Sequence, residues 1–219
     1  MKRKAVILAA GEFPRKPYPL YLLDSADCIV CCDSAAEAFF RHFAERRLPD
    51  AVIGDMDSIP DRIRERYANR LVPVKEQENN DQTKALNYLL EHYDDLGEII
   101  ILGATGKRED HTLGNLSLLM EYARTRGIDG LSSPSVRLVS DYSEAFAILD
   151  SCTLFVGEGR SISVFSADNS LQIRSKGLQW PLDDVVWDNW WKATLNRTTS
   201  DAVSFTLSHP APVLIILPA

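Results

Sequence analysis

The residues best suited to chemistry are carboxylates at turns. Gly54-Asp55-Met56-Asp57-Ser58 follows the apolar run Ala51-Val52-Ile53, so it stands where a strand leaves a sheet. Carboxylates at i and i+2 of a turn can converge on one cation, and hard oxygen donors suit Mg2+ or Mn2+. Asp-x-Asp-Ser also occurs as a plain acidic turn, so the motif alone leaves both readings open. Asp33 closes the run Cys28–Cys32, and Asp81 precedes a helical pattern starting at Gln82. An Asp at a strand end lies on the edge where parallel sheets bind ligands. An Asp at a helix start serves equally well as an N-cap, a reading open to Asp81 and to Asp33 alike. A second segment, Gly103-Ala104-Thr105-Gly106-Lys107-Arg108-Glu109-Asp110-His111, joins a strand to a helix. Its glycines admit close backbone approach, and a turn opening a helix is an anion site. It is not a Walker A motif. Arg108 suits phosphate through its planar fork, or it pairs with Glu109 or Asp110. His111 can act as an acid or base, or as a hydrogen-bonded structural residue.

Such groups need a frame to hold them. Short Val/Ile-rich runs at 4–10, 27–32, 50–53, 71–74 and 98–102 read as buried parallel strands. Helical periodicity lies between them at 34–47, 61–69, 82–93 and 111–126. Alternation of this kind implies a mostly parallel sheet with helices on its faces. The pattern changes near Gly130-Leu131-Ser132-Ser133-Pro134-Ser135. Strand candidates follow at 136–140, 144–149, 152–156, 161–165, 171–174, 203–207 and 213–217. They read as a small sandwich. The expected architecture is an α/β N-terminal domain with a Rossmann-like sheet over 1–135, then an all-β sandwich domain over 136–219.

Charge and composition narrow the function. The 219 residues carry 24 Lys+Arg against 31 Asp+Glu, a net charge of −7. That argues against a broad nucleic-acid grip, which needs a basic stripe. No run approaches the roughly 18 apolar residues of a membrane span. Met1-Lys2-Arg3-Lys4 and the run Ala5 to Ala10 resemble a signal peptide. The run is short for one and fits a first strand. Cys28, Cys31, Cys32 and Cys152 read as small buried residues of a reducing cytoplasm rather than a zinc or redox site. Trp180, Trp187, Trp190 and Trp191 suit core or interface packing, or stacking on a flat, cationic ligand. The run Arg62, Arg64, Arg66, Arg70 reads as a solvated helix face. His42, His92 and His209 receive no role.

Taken in order, the motifs resemble the thiamine pyrophosphokinase family. The matching stretches are Asp33-Ser34-Ala35-Ala36, Gly54 to Ser58, Asn80-Asp81-Gln82-Thr83-Lys84-Ala85, Gly103 to His111 with Asn115, Gly177-Leu178-Gln179-Trp180-Pro181-Leu182, and Leu195-Asn196. The resemblance covers nearly the whole chain. It implies transfer of a pyrophosphoryl group from ATP to the hydroxyl of thiamine, giving thiamine diphosphate and AMP. It also implies a homodimer with its active site between subunits. Residue by residue, it assigns Mg2+ ligation to Asp55, Asp57 and Asp81, and phosphate contact to Arg108. Gln77, Lys84, Lys107, Asp110 and His111 join Arg108 as nucleotide-binding candidates. Trp180 and Asn196 become thiamine-site candidates, and Asp33 the candidate base.

Departures from the family pattern bear on the acceptor. Ser34 and Ala35 stand where the family has glycines, Asn80 replaces Thr, Lys107 replaces Gly, and Leu195 replaces the Ser of a Ser-Asn pair. The catalytic set therefore matches better than acceptor recognition. A pyrophosphokinase for another hydroxymethyl heterocycle, such as a pterin, and an inactive nucleotide- or thiamine-binding sensor stand as alternatives.

Overall fold

A computed structural model describes residues 2–219. Contacts divide the chain into two units. One holds the residues up to Asn115 together with Leu138–Asp141, and the other holds Leu116–Arg137 with Tyr142–Ala219.

The first unit alternates strand and helix. Its strands are β1 (Arg3–Leu8), β2 (Cys28–Cys32), β3 (Ala51–Gly54), β4 (Leu71–Pro73) and β5 (Leu96–Leu102). Its helices are α1 (Pro17–Asp24), α2 (Ala35–Phe43), α3 (Asp61–Arg66) and α4 (Asp81–His92), with α5 (Glu109–Arg126) beginning here. The strands are parallel in the order β5-β1-β2-β3-β4. Strand order therefore reverses between β1 and β5, the switch point where α/β sheets open a crevice. Alternate residues of a strand face opposite ways. Val6, Leu8, Ile29, Cys31 and Val52 form one core with Phe39, Phe43, Ile63 and Tyr67. Ala5, Ile7, Val30, Cys32 and Ile53 are equally buried on the other face. Continuous burial explains why these strands read as unbroken apolar runs.

The second unit is antiparallel, with β6 (Ser135–Val139) at the point where the chain passes between units. Strands β7 (Ser143–Ile148), β8 (Cys152–Phe155), β9 (Ser161–Ser166), β10 (Ile173–Lys176), β11 (Ala193–Arg197), β12 (Ala202–Leu207) and β13 (Val213–Pro218) follow. They pair as β7-β13-β9-β11 and as β10-β12-β8. Ile162, Val164, Ile173, Trp187, Val203, Phe205, Val213 and Ile215 fill one shared core.

Two elements go beyond the sequence expectation. Helix α1 opens on Pro17 at its first turn, where a missing N–H costs nothing, yet Pro-Tyr-Pro reads as a breaker. Strand β11 is a bulged edge strand with Leu195 at φ 58, so its alternation is broken. Helix α2 ends at Phe43, earlier than its periodicity suggests, because Ala44 turns to φ 48. The four cysteines are free. Burial pushes the Cys28 thiol up to about 12 and the Cys152 thiol up to about 11, so they are poor nucleophiles. Among the described residues no helix is long and apolar enough to cross a membrane.

Phe39 is fully buried and its ring lies 4.6 Å from that of Phe43. Phe39→Ala should lower unfolding free energy by about 3–5 kcal/mol, read as a fall in the urea midpoint.

Candidate active site

Asp33 stands at the end of β2 with φ 41, a conformation rare outside glycine. Its N–H donates to the Ile53 carbonyl at 2.7 Å, which ties it to the end of β3. The residue is 7% exposed. One oxygen accepts from the Ser58 hydroxyl, and among the described residues Oδ1 has no partner. The carboxylate does not cap α2, whose Ser34 cap also makes no side-chain bond. Gly54 faces Asp33 closely: a Cβ built at Gly54, where φ is 155, would lie 2.9 Å from the Asp33 Cβ. Only glycine lets β3 deliver Asp55 this close to Asp33.

Asp55 and Asp57 flank Met56, whose φ of 71 reverses the chain while its side chain enters the core. The Asp57 N–H donates to Asp55 Oδ1 at 3.1 Å, and Asp57 itself is exposed. Asp81 is the first residue of α4 rather than its cap. Asn80 caps the helix, accepting from the Thr83 N–H at 3.0 Å, which frees the Asp81 carboxylate. Burial raises the Asp81 carboxyl above its ordinary value; the Lys84 ammonium pulls it down, and the charges of Asp33 and Asp55 push it up again. Lys84 is almost wholly buried, with Nζ 3.5 Å from Asp81 Oδ1 and 3.3 Å from the Val74 carbonyl.

Asp33 follows β2, Asp55 follows β3 and Asp81 opens α4, and the charges of the first two act on the third. Asp55, Asp57 and Asp81 offer only oxygen donors, which fits a hard divalent cation. Among the described residues no three His, Cys, Asp or Glu side chains stand close enough to cage an ion unaided. Mg2+ does not need such a cage, since it commonly takes one or two carboxylates and fills its shell with water and phosphate.

The second sequence segment lies at the switch point. Ala10 and Gly11 after β1, and Ala104, Gly106, Lys107, Arg108, His111, Thr112 and Asn115 after β5, line a cavity of about 200 Å3. Gly11 is forced: its Cβ would meet the Gly103 carbonyl at 2.4 Å. Lys107 holds the position where a glycine is expected, at φ 63, and its Nζ donates to the Ala10 carbonyl at 2.8 Å. Arg108 lies in the open, bonded to Asp110 at 3.1 and 2.5 Å. That pair, helped by the His111 N–H, holds the exposed Asp110 carboxyl down at about 2. Asn115 bridges the two groups of residues. It accepts from Asn80 Nδ2 at 2.9 Å and donates to the Ala104 carbonyl at 2.8 Å. Gln77 is exposed in the loop before α4. It is not among the residues lining the neighbouring 400 Å3 cavity, to which Lys84 contributes.

In the second unit, Trp180 and Asn196 come together. Asn196 is 4% exposed; its Oδ1 accepts from the Trp180 N–H at 3.2 Å and its Nδ2 donates to the Trp180 carbonyl at 2.7 Å. Its amide is therefore committed to the backbone of Trp180, while the Trp180 ring is half exposed. Leu195 is 83% exposed, its N–H held by Ser163 Oγ at 3.0 Å. Of the four tryptophans only Trp187 is core. Sequence reasoning missed Ser58 as the partner of Asp33. It also missed Asn115 as a bridge, whose one local signal is an Asn inside a helix.

Comparison with known proteins gives a consistent picture. A family model described as thiamin pyrophosphokinase, catalytic domain, matches residues 20–128. Another, described as thiamin pyrophosphokinase, substrate-binding domain, matches residues 146–215. A protein of Oryza sativa subsp. japonica named thiamine pyrophosphokinase 1 is 26% identical over 207 residues, 83% of this chain and 74% of that one. The crystal structure of thiamine pyrophosphokinase from Bacillus subtilis aligns with a TM-score of 0.77 at 20% identity, over 99% of both chains. That of yeast thiamin pyrophosphokinase aligns at 0.79 and 14% identity, over 100% of this chain and 87% of its own. At those identities the solved structures speak for the fold.

Two outcomes test the site. In Arg108→Ala, the Asp110 carboxyl titration, followed by carbon NMR, should move from about 2 toward its ordinary 3.8. Gly54→Ala should cost roughly 1–3 kcal/mol of stability in urea unfolding, because strain and the Asp33 contact act together.

Proposed function

The chain belongs to the thiamin pyrophosphokinase family, and from that premise we propose that it transfers a pyrophosphoryl group from ATP to the hydroxyl of thiamine, yielding thiamine diphosphate and AMP. One observation carries the reading: Asp33 and Asp55 after strand ends and Asp81 at a helix start act on one another electrostatically, in a chain whose two halves match the catalytic and substrate-binding models in order. Residues 1–135 act as the nucleotide-binding catalytic part, and 136–219 as the thiamine-binding part.

Asp55, Asp57 and Asp81 would hold Mg2+, which when bound neutralises phosphate charge. The rest is work for the chain's own groups. Lys84 holds the Asp81 carboxylate in place. Arg108 exchanges Asp110 for a phosphate and offers two parallel N–H donors to it. Lys107 and His111 line the nucleotide cavity, and Gln77 contacts the nucleotide from its loop. The thiamine hydroxyl attacks the β-phosphorus in line as the bond to AMP breaks, a reaction governed by positioning and electrostatics. Asp33, with one oxygen unbonded and buried, accepts the hydroxyl proton. The half-exposed Trp180 ring receives the cationic thiamine rings, and Asn196 fixes the backbone that presents it.

The working form is a homodimer with the active site at the subunit interface. Exposed Trp180, Val186, Trp191 and Leu195 supply apolar surface for association. A cytoplasmic location suits four free cysteines.

Incubation with ATP, Mg2+ and thiamine should release AMP and thiamine diphosphate in equal amounts. Asp57→Asn should retain the fold and lose at least about a hundredfold in turnover. Full activity in that variant would remove Asp57 from the metal set. Leu195, standing where the family has Ser, favours one second reading, in which the acceptor is a different hydroxymethyl heterocycle; AMP release with a pterin alcohol alone would select it.

A further inference from the structure

Of the run Arg62, Arg64, Arg66, Arg70, all but the half-buried Arg66 are exposed, and the first three each hold a defined partner. Arg62 pairs with Glu37 and Arg66 with Glu45. Arg64, itself exposed, has a backbone partner instead: its Nη2 donates to the Met56 carbonyl. The N–H of that same peptide unit belongs to Asp57 and donates to Asp55 Oδ1 at 3.1 Å. The peptide between Met56 and Asp57 is therefore gripped at both ends, by a guanidinium at its oxygen and a carboxylate at its N–H. A peptide unit is planar, so orientation set at the carbonyl is transmitted to the N–H.

We infer that Arg64 is a positioning residue that locks the Met56–Asp57 peptide and, through its N–H, sets the Asp55 carboxylate for cation binding. The packing around it supports this role. Met56 sits at φ 71, a strained conformation for its side-chain type, and needs outside support. Its side chain shares a core with Ile59, Ile63 and Tyr67, so α3 and the acidic loop rest on one surface. Ile63, beside Arg64, is 1% exposed and anchors the helix that aims the guanidinium. Arg64 also brings a positive charge to the acidic loop itself. The inference rests on the proposed reading of Asp55 as a metal ligand.

The test measures Mn2+ binding by water-proton relaxation, in the presence of a non-hydrolysable ATP analogue, for the parent, Arg64→Ala, Arg64→Gln and Arg64→Lys. One lost hydrogen bond of this kind corresponds to about a tenfold weaker affinity in Arg64→Ala. Arg64→Lys and Arg64→Gln, which each keep a donor, should stay within about threefold of the parent by the same reasoning. Binding in Arg64→Ala equal to the parent overturns the inference. So does a tenfold loss in Arg64→Gln with Arg64→Lys unaffected, which would assign the effect to charge rather than to the clamped peptide. A parent that binds no Mn2+ overturns it too. Acceptor turnover is scored separately in the parent. A parent that releases no AMP yet shows the Arg64→Ala binding loss refutes the activity and leaves the clamp standing. An active parent with unchanged Arg64→Ala binding does the reverse.

Discussion

Repulsion between carboxylates is the constraint around which the first unit is arranged. Three of them come from different segments, Asp33 and Asp55 after strands and Asp81 at the start of a helix, and the first two act on the third. Burial makes the Asp81 charge expensive, and the other two carboxylates compound it. The fold meets that cost with specific devices. Ser58 donates to one carboxylate, a buried lysine faces another, and a backbone N–H satisfies the third. Positive φ angles at Asp33 and Met56 are part of the same arrangement. Local strain of this kind persists only where the surroundings over-determine it, and it gathers at functional sites.

Much of this frame was legible in the sequence because its physics is local. Continuous Val/Ile runs such as Ala5–Leu8 mark strands buried on both faces, and the spacing of Ala35, Phe39 and Phe43 marks a helix with one apolar stripe. Gly54-Asp55-Met56-Asp57 announces a turn rich in charge. What the sequence concealed depends on contacts between distant positions. The Asn80–Asn115 bridge joins residues 35 apart in the chain. The grip of Arg64 on Met56 reaches back eight residues, and nothing in the sequence separates Arg64 from its neighbours until the fold sets its guanidinium against that carbonyl. Helix α1 was hidden for a different reason, since its prolines fall in the one turn that tolerates them.

The second unit shows a side chain whose likeness to a ligand-binding residue coexists with a structural task. Asn196 grips both polar atoms of the Trp180 backbone. An amide so engaged acts on a ligand through the tryptophan it presents. The neighbouring Leu195 leans outward from a left-handed position on a bulged edge. Its exposure leaves an apolar projection where the family pattern has a hydroxyl. If the proposed acceptor site lies there, that rim offers it shape and stacking more than hydrogen bonding.

The pairing of Arg108 with Asp110 carries a consequence of its own. An arginine already matched to an internal anion is not a free binding site; every incoming anion must displace the one the protein carries. Such a built-in competitor weakens all guests by a common factor, so only the most highly charged hold well. On the proposed reading, in which a triphosphate enters and a monophosphate leaves, that threshold sorts the incoming guest from the departing one. The arginine has somewhere to return when the heavier charge has gone.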